Sequence, residues 1–508
     1  MGFFGKRNDS EDQIQEAAPE PDVEKVVPSA HQESDVGQSA AGPMLALPDI
    51  DPKLEHRVLR KLDLRLTTLV AFFYLLAFLD RSNIGNAKIA GMSTDLSLTG
   101  EKYTWLLTIF YISYAVFEFQ AIMWKVVKPH QWCAFMVFSW GLVSTCQAAT
   151  QNWQGMMALR FLMGIFEAGF GPGVPYLLSF FYRRHELGLR CGMYFAAAPL
   201  ANTFAGALAY GITSGHESIA SWRVLFLVEG LPVVASALLA WFFLPDSPAT
   251  AKFLTEEEKE VTRIRAIAQS GEPDRKLEIQ WKEVVEILFD PKAWLLSFMY
   301  FSCNVSFSSL SVFLPSILKE MGFTSIDAQG LTAPVFFASF LVTLATPWIA
   351  DRLQQRGYMI AGLSLIGSVG YILCATVKTV GVRYFGVFVA ACGVFPAIAN
   401  LLPWVLNNQG SDSRRGAGII LMNLIGQCGP FLGTNVFPDS EAPRFLRGMW
   451  ICAAFMLFNT FLALVLRFYL VWMNKGLDKK YGPKVAVDPS KKELSPEDNY
   501  GAGFRYAL

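Results

Sequence analysis

Residues 66–81 read LTTLVAFFYLLAFLDR, fourteen positions without a charge followed by an acid and a base, Asp80 and Arg81. Residues 156–170, MMALRFLMGIFEAGF, enclose Arg160 and Glu167 in the same way. An uncharged run of this kind reads as a membrane helix. A charge at the bilayer centre costs about 2.5–3.5 kcal/mol on insertion scales, so four of them are poorly explained by scaffolding alone. The four groups are expected to form a site that handles protons and anions.

The wider composition agrees with a membrane chain. Of 508 residues, 53% are hydrophobic and 17% charged, against about a quarter charged in soluble proteins. The formal net charge is zero, so nucleic acid is not an expected partner. The eight cysteines are scattered, with neither CxxC nor metal-ligand spacing. They read as small buried side chains, and no metal or cofactor is expected. There is no phosphate-binding loop pattern, so any transport would draw on a gradient. No nucleophile–base pattern suggests an enzyme.

Residues 1 to about 50 are rich in Glu, Asp, Gln, Ser and Pro and read as a disordered tail, drawn here as 1–60. Twelve apolar spans follow, near 66–84, 103–124, 132–150, 155–181, 191–213 and 223–244, then 293–317, 328–350, 358–377, 384–406, 417–437 and 448–472. They divide the chain into a first six-helix bundle (61–244), a polar linker (245–290), a second bundle (291–474) and a polar tail (475–508). Six spans, a long polar connection and six more is the layout of two repeated bundles. The fold class is therefore an all-α membrane protein. Lys53, Arg57, Arg60, Lys61 and Arg65 precede the first span, and Lys125, Lys128, Arg183, Arg184, Arg352, Arg356, Arg414 and Arg415 lie in loops on that side. By the positive-inside rule both termini are cytosolic. Apolar residues three and four apart in LTEEEKEVTRIRAIA predict a helix in the linker, lying along the cytosolic face.

Arg160 and Glu167 are seven apart and nearly share a helix face, with Gly164 between them leaving room for a ligand or a neighbouring helix. The segment GFGPG (169–173) is expected to loosen the helix at Pro172. Asp80 and Arg81 point about 100° apart, so one could face the fourth span and the other a cavity. Protonating Asp80 or Glu167 would leave the four-group site with one positive charge in excess. Burial and a neighbouring arginine pull a carboxylate's titration in opposite directions, as a proton carrier requires. An arginine fork suits a carboxylate ligand. Static salt bridges joining the first and fourth spans would use the same residues. The second half supplies polar rather than charged groups in Asn304, Ser306, Ser308, Trp404, Asn407, Asn423 and Gln427.

The stretches LDRSNIGNAKIAGM, RFLMGIFEAGFGPG and WRVLFLVEGLP resemble the anion:cation symporter branch of the major facilitator superfamily, in its fungal allantoate, nicotinate and vitamin permease-like members. The similarity runs from about residue 60 to 475. It implies twelve helices in two pseudo-symmetric bundles that rock about a central site, and proton-driven uptake of a small organic anion. Matched by position, Asp80 and Glu167 are the proton-coupling residues, and Arg81 and Arg160 engage substrate. Tyr114 lines the cavity, Trp404 matches a cavity tryptophan, and Asn423 matches a polar site residue. Asn304 and Gln427 join this substrate-binding set, and Glu118 stands at a position often filled by Gln or Glu.

The sequence departs from the superfamily pattern at the loop MWKVVKPHQW, which lacks the glycine-aspartate-arginine latch. ADRLQQRG keeps part of it in Asp351, Arg352 and Arg356, which with Glu118 are assigned to gating. Pro199, Leu401 and Pro403 replace polar residues of sugar-acid carriers, which favours a flatter anion such as nicotinate. The expected partners are that anion, protons and the lipid bilayer, at the plasma membrane. A proton-antiporting exporter of drugs or metabolites and a non-transporting nutrient sensor remain alternatives.

Overall fold

The computed structural model of this chain describes residues 50–99, 101–215, 219–270, 281–408, 412–482 and 504–508. The expected disordered stretch up to residue 49 lies outside them. All regular structure among the described residues is helical. The first half contains α1 (Pro52–Leu62), α2 (Thr68–Ala87), α3 (Lys102–Phe117), α4 (Pro129–Gln147), α5 (Trp153–Glu167), α6 (Gly173–Leu178), α7 (Arg184–Thr213) and α8 (Ser221–Phe243). After the linker helix α9 (Glu256–Ser270) come α10 (Pro291–Glu320), α11 (Ser325–Leu353), α12 (Arg356–Thr376), α13 (Val380–Asn408), α14 (Asp412–Gly426), α15 (Cys428–Gly433) and α16 (Leu446–Tyr481). Among the described residues nine helices are long and apolar enough to cross a membrane. The expected spans coincide with helical segments, the fourth and the eleventh each divided over two shorter helices.

Helices of the first half pack mainly on one another, as do those of the second, and the principal seam between halves joins α7 to α11. A Cβ at Gly192 would sit 2.6 Å from the Pro347 ring, so the backbones meet there because glycine allows it. Further along the seam Thr213 donates to Gln329 Oε1 at 2.7 Å, and Gln329 Nε2 donates to the Asn86 carbonyl at 3.3 Å.

The fourth span is interrupted between Glu167 and Gly173, where GFGPG predicted loosening. Side chains at Gly171 and Gly173 would strike the Tyr114 hydroxyl and the Trp124 indole. Trp124 fills that space and donates its Nε1–H to the Gly169 carbonyl at 2.8 Å. It supplies a donor to backbone that the broken helix leaves open, as a bilayer interior demands.

Two boundaries differ from expectation. Residues 52–60, drawn within the tail, are helical. Asp51 accepts from the Lys53 N–H, Pro52 starts the helix, and Val58 and Leu62 bury one face. The tail drawn from 475 begins as the last turns of α16, and residues 504–508 dock against the second half. Asn408 exchanges two hydrogen bonds with the backbone of Ala507, at 3.0 and 2.8 Å, and Asn474 does the same with Tyr506, at 2.8 and 3.0 Å. Phe504 and Tyr506 bury their rings beside them.

The linker helix is also more than a solvated connection. Arg265 is buried and pairs with Glu55 at 2.9 Å and with Glu186, while Lys61 pairs with Glu258 at 2.7 Å. Burial acts most strongly on the Glu258 carboxyl and would raise its pKa. The Lys61 ammonium, the Thr255 N–H and the Arg57 charge outweigh burial and hold it below the usual carboxylate range. A carboxyl depressed on folding stabilises above its unfolded pKa and loses that contribution as pH falls through its folded pKa. Glu258→Gln should therefore cost about 1–2 kcal/mol at neutral pH, allowing for the partly exposed lysine. In thermal unfolding of the purified chain, the gap between variant and wild type should close below about pH 4.

Candidate functional site

Asp80 and Arg81 are consecutive on α2, and the helix turn sends them to different neighbours. Arg81 reaches α5 and donates to Glu167 Oε1 at 2.5 Å. Asp80 turns to α4, where its Oδ1 accepts from Ser144 Oγ at 2.6 Å. Glu167 and Asp80 are buried, with one carboxylate oxygen of each lacking a hydrogen-bond partner. The guanidinium of Arg81 also lies 5.0–5.2 Å from the ring centroids of Phe78, Phe110 and Tyr114. Aromatic faces stabilise a cation where water is scarce.

Arg160 is buried two turns before Glu167. Its Nε donates to the Leu106 carbonyl at 3.4 Å, and its guanidinium rests 5.0 Å from the Phe110 ring centroid. No carboxylate of the described residues stands within ion-pair distance of it. The space at Gly164 is taken by α3, since a Cβ there would meet Ser113 and the Phe110 carbonyl. That glycine serves helix contact, not a ligand.

A cavity lies between the halves. The first half lines it with Tyr74, Arg81, Tyr111, Tyr114 and Phe195, the second with Tyr300, Asn304, Phe307, Ser308, Met422, Asn423 and Gln427. The space open to the centre of a water-sized sphere is about 40 Å³, enough for a few waters. A larger occupant must move the walls. Arg81 is the one charged side chain among the lining residues.

Of the residues singled out from sequence, the structure brings Arg81, Tyr114, Asn304, Asn423 and Gln427 to the cavity wall, with Glu167 directly behind Arg81. Asp80 and Arg160 stand outside the lining. Trp404, expected in the cavity, points elsewhere: its Nε1 donates to the Ala507 carbonyl at 2.8 Å, beneath the docked 504–508 segment. A polar terminal stretch hid that partner. Asp351 and Arg356 form an ion pair within the second half that lies against Gly188 at the start of α7, so this part of the expected latch abuts the seam. Arg352 instead lies over Trp348 at 4.5 Å on the surface. Lys88 and Asp439, 2.8 Å apart, join the halves at the opposite end.

Tyr114 was placed at the wall by resemblance, but Tyr74, Tyr111 and Tyr300 went unread, because tyrosine in an apolar span is ordinary. Their spacing carried a signal. Tyr74 stands two turns before Arg81, and Tyr111 and Tyr114 are three apart on α3.

The α3–α5 contact is testable. Gly164→Val should lower thermal stability by about 1–3 kcal/mol through overpacking against α3. An unchanged unfolding temperature would contradict the contact.

The sequence profile described as Major Facilitator Superfamily matches residues 70–434. A curated relative, the MFS transporter prlL of a fungal species (strain NRRL 50135), is 34% identical over 463 residues, covering 88% of this chain and 93% of its own. The high-affinity nicotinic acid transporter of Saccharomyces cerevisiae is 30% identical over 465 residues, covering 89% and 86%. Among solved structures, a bacterial homologue of the human lysosomal transporter Spinster, inward-facing and occupied, superposes with a TM-score of 0.56 at 15% identity. That match covers 82% of this chain and 98% of the bacterial one, and it speaks for the fold.

Proposed function

This chain belongs to the Major Facilitator Superfamily and is a membrane transporter rather than an enzyme; on that premise we propose that it carries a small, flat organic anion into the cell together with protons. The observation that carries this reading is the lone arginine of the cavity wall, neutralised from behind by Glu167. While that pair is intact the cavity has no free charge to offer. Protonating Glu167 releases the Arg81 fork, which can then take a carboxylate through two hydrogen bonds. The proton and the anion thus enter together, and neither leaves an uncompensated charge in the low-dielectric interior.

The wall chemistry supports the substrate class. Tyr74, Tyr111, Tyr114, Tyr300 and Phe307 offer faces and edges to an aromatic ring. Asn304, Asn423 and Gln427 offer amide donors and acceptors to a ring nitrogen or a small polar substituent. A pyridine carboxylate such as nicotinate matches this set, and the nicotinic acid transporter among the relatives points the same way. Asp80 is a second protonatable group on the helix that carries Arg81. Rocking of the halves along the α7–α11 seam, with the Asp351–Arg356 pair opening and closing against α7, would expose the cavity to each side in turn. We place both termini in the cytosol, twelve spans in the bilayer and the chain in the plasma membrane.

Cells lacking their own permease should take up labelled nicotinate faster at about pH 5 than at about pH 7, and a protonophore should abolish the difference. Glu167→Gln and Asp80→Asn should each reduce proton-driven uptake by at least about tenfold while the chain still reaches the surface. Normal pH-dependent uptake by both variants would contradict the reading.

A further inference from the structure

Glu229 on α8 is an acid that the Arg81–Glu167 site does not use. It is 2% exposed, and among the described residues neither of its carboxyl oxygens has a hydrogen-bond partner. An ionised carboxylate left so in a membrane helix would be among the costliest groups in the fold. The charged group that faces it is another acid, Asp80.

The backbone explains how the two come together. α8 packs on α4 through Gly230, where a Cβ would lie 2.7 Å from the Thr145 backbone nitrogen, and through Val233, which meets Gly141. Ser144, the neighbour of Thr145, is the residue that holds Asp80 Oδ1. One turn of α4 therefore binds Asp80 through Ser144 and packs, through Thr145, on the residue next to Glu229, with Asp80 arriving from α2 and Glu229 from α8. Unpartnered polar atoms recur along these helices, among them Asp80 Oδ2, both amide atoms of Asn83 one turn along α2, and the Trp140 Nε1–H one turn before Ser144. Buried polar atoms left open in this number are places for water or a proton.

We propose that Asp80 and Glu229 form a shared-proton site between α2, α4 and α8, separate from the cavity that Arg81 lines. One acid holds the proton while the other is ionised, so the pair carries a single negative charge. Two carboxylates that cannot both ionise at close range behave in this way. Arg160 and Glu167 face Asp80 from α5, and Ser144 faces it from α4. The remaining negative charge thus lies toward Arg160, which has no ion pair of its own. From α7 no titratable group faces Glu229, and Lys88 just beyond α2 is engaged with Asp439. A second proton entering the pair discharges it, and its departure restores the charge opposite Arg160. In this arrangement Glu229 is a positioning residue that sets when Asp80 titrates, and the inference rests on the proton-coupled reading above.

The test uses the purified full-length chain in lipid nanodiscs. Infrared difference spectra across about pH 4 to about pH 10 should show the carbonyl band of protonated carboxylic acids. Glu229→Gln should move the midpoint of the remaining Asp80 band by at least about one pH unit, because interacting acids titrate as a pair. Asp80→Asn should displace the Glu229 band likewise, and Glu229→Asp, which keeps a carboxyl, should restore a coupled band. In cells, Glu229→Gln should shift the pH profile of labelled nicotinate uptake at unchanged surface level. Independent midpoints in the single variants, or a Glu229→Gln uptake profile superimposable on wild type, would overturn the shared site. If the wild type does not take up nicotinate but the bands remain coupled, the transport reading fails and the shared site stands.

Discussion

The ion pair between Arg81 and Glu167 is the constraint around which the first half is arranged. Charges in a bilayer interior persist only when compensated, and this pair is compensated from several directions. Glu167 supplies the counter-charge, while Phe78, Phe110 and Tyr114 surround the guanidinium. Those contacts fix α2, α3 and α5 against one another. The arginine is consequently held at the cavity wall in one orientation, while the acid that neutralises it stays out of the cavity. A site built this way is silent until its acid is neutralised by other means.

The same economy governs the backbone. Where the fourth span breaks after Glu167, Trp124 supplies the donor that the freed Gly169 carbonyl needs. Where the halves meet, glycine at 192 lets α7 and α11 approach without interposed side chains. The seam's polar groups gather toward the ends, with the Asp351–Arg356 pair against Gly188 at one and the Thr213–Gln329 hydrogen bond at the other.

How much of this was legible in the sequence follows from how loud each residue is against an apolar background. Asp80, Arg81, Arg160 and Glu167 stand out because charge is rare there, and two of the four, Arg81 and Glu167, proved to be direct partners. Glu229 was as loud, but it sat within a stretch read for family likeness and was passed over. Tyr114 was reached by resemblance, while Tyr74, Tyr111 and Tyr300 were silent because aromatic side chains are common in membrane spans. Gly164 was ambiguous between ligand space and helix contact, and only the position of α3 decides it. Trp404 was assigned by matched position, a method blind to the five residues at 504–508 that cover it. The linker helix α9 was legible from its apolar spacing, whereas α1 was obscured by polar composition, and the ion pairs that join the two to distant residues were not legible at all.

The central claim is that substrate replaces Glu167 at Arg81 and that protonation of Glu167 is the condition for it. The most direct measurement is proton uptake from a weakly buffered solution when nicotinate binds the purified chain, followed with a pH indicator. The account predicts that binding takes up protons in the wild type and that Glu167→Gln binds nicotinate without the Glu167 share of that uptake. Binding with no proton uptake by the wild type, or uptake unchanged in the variant, would contradict it.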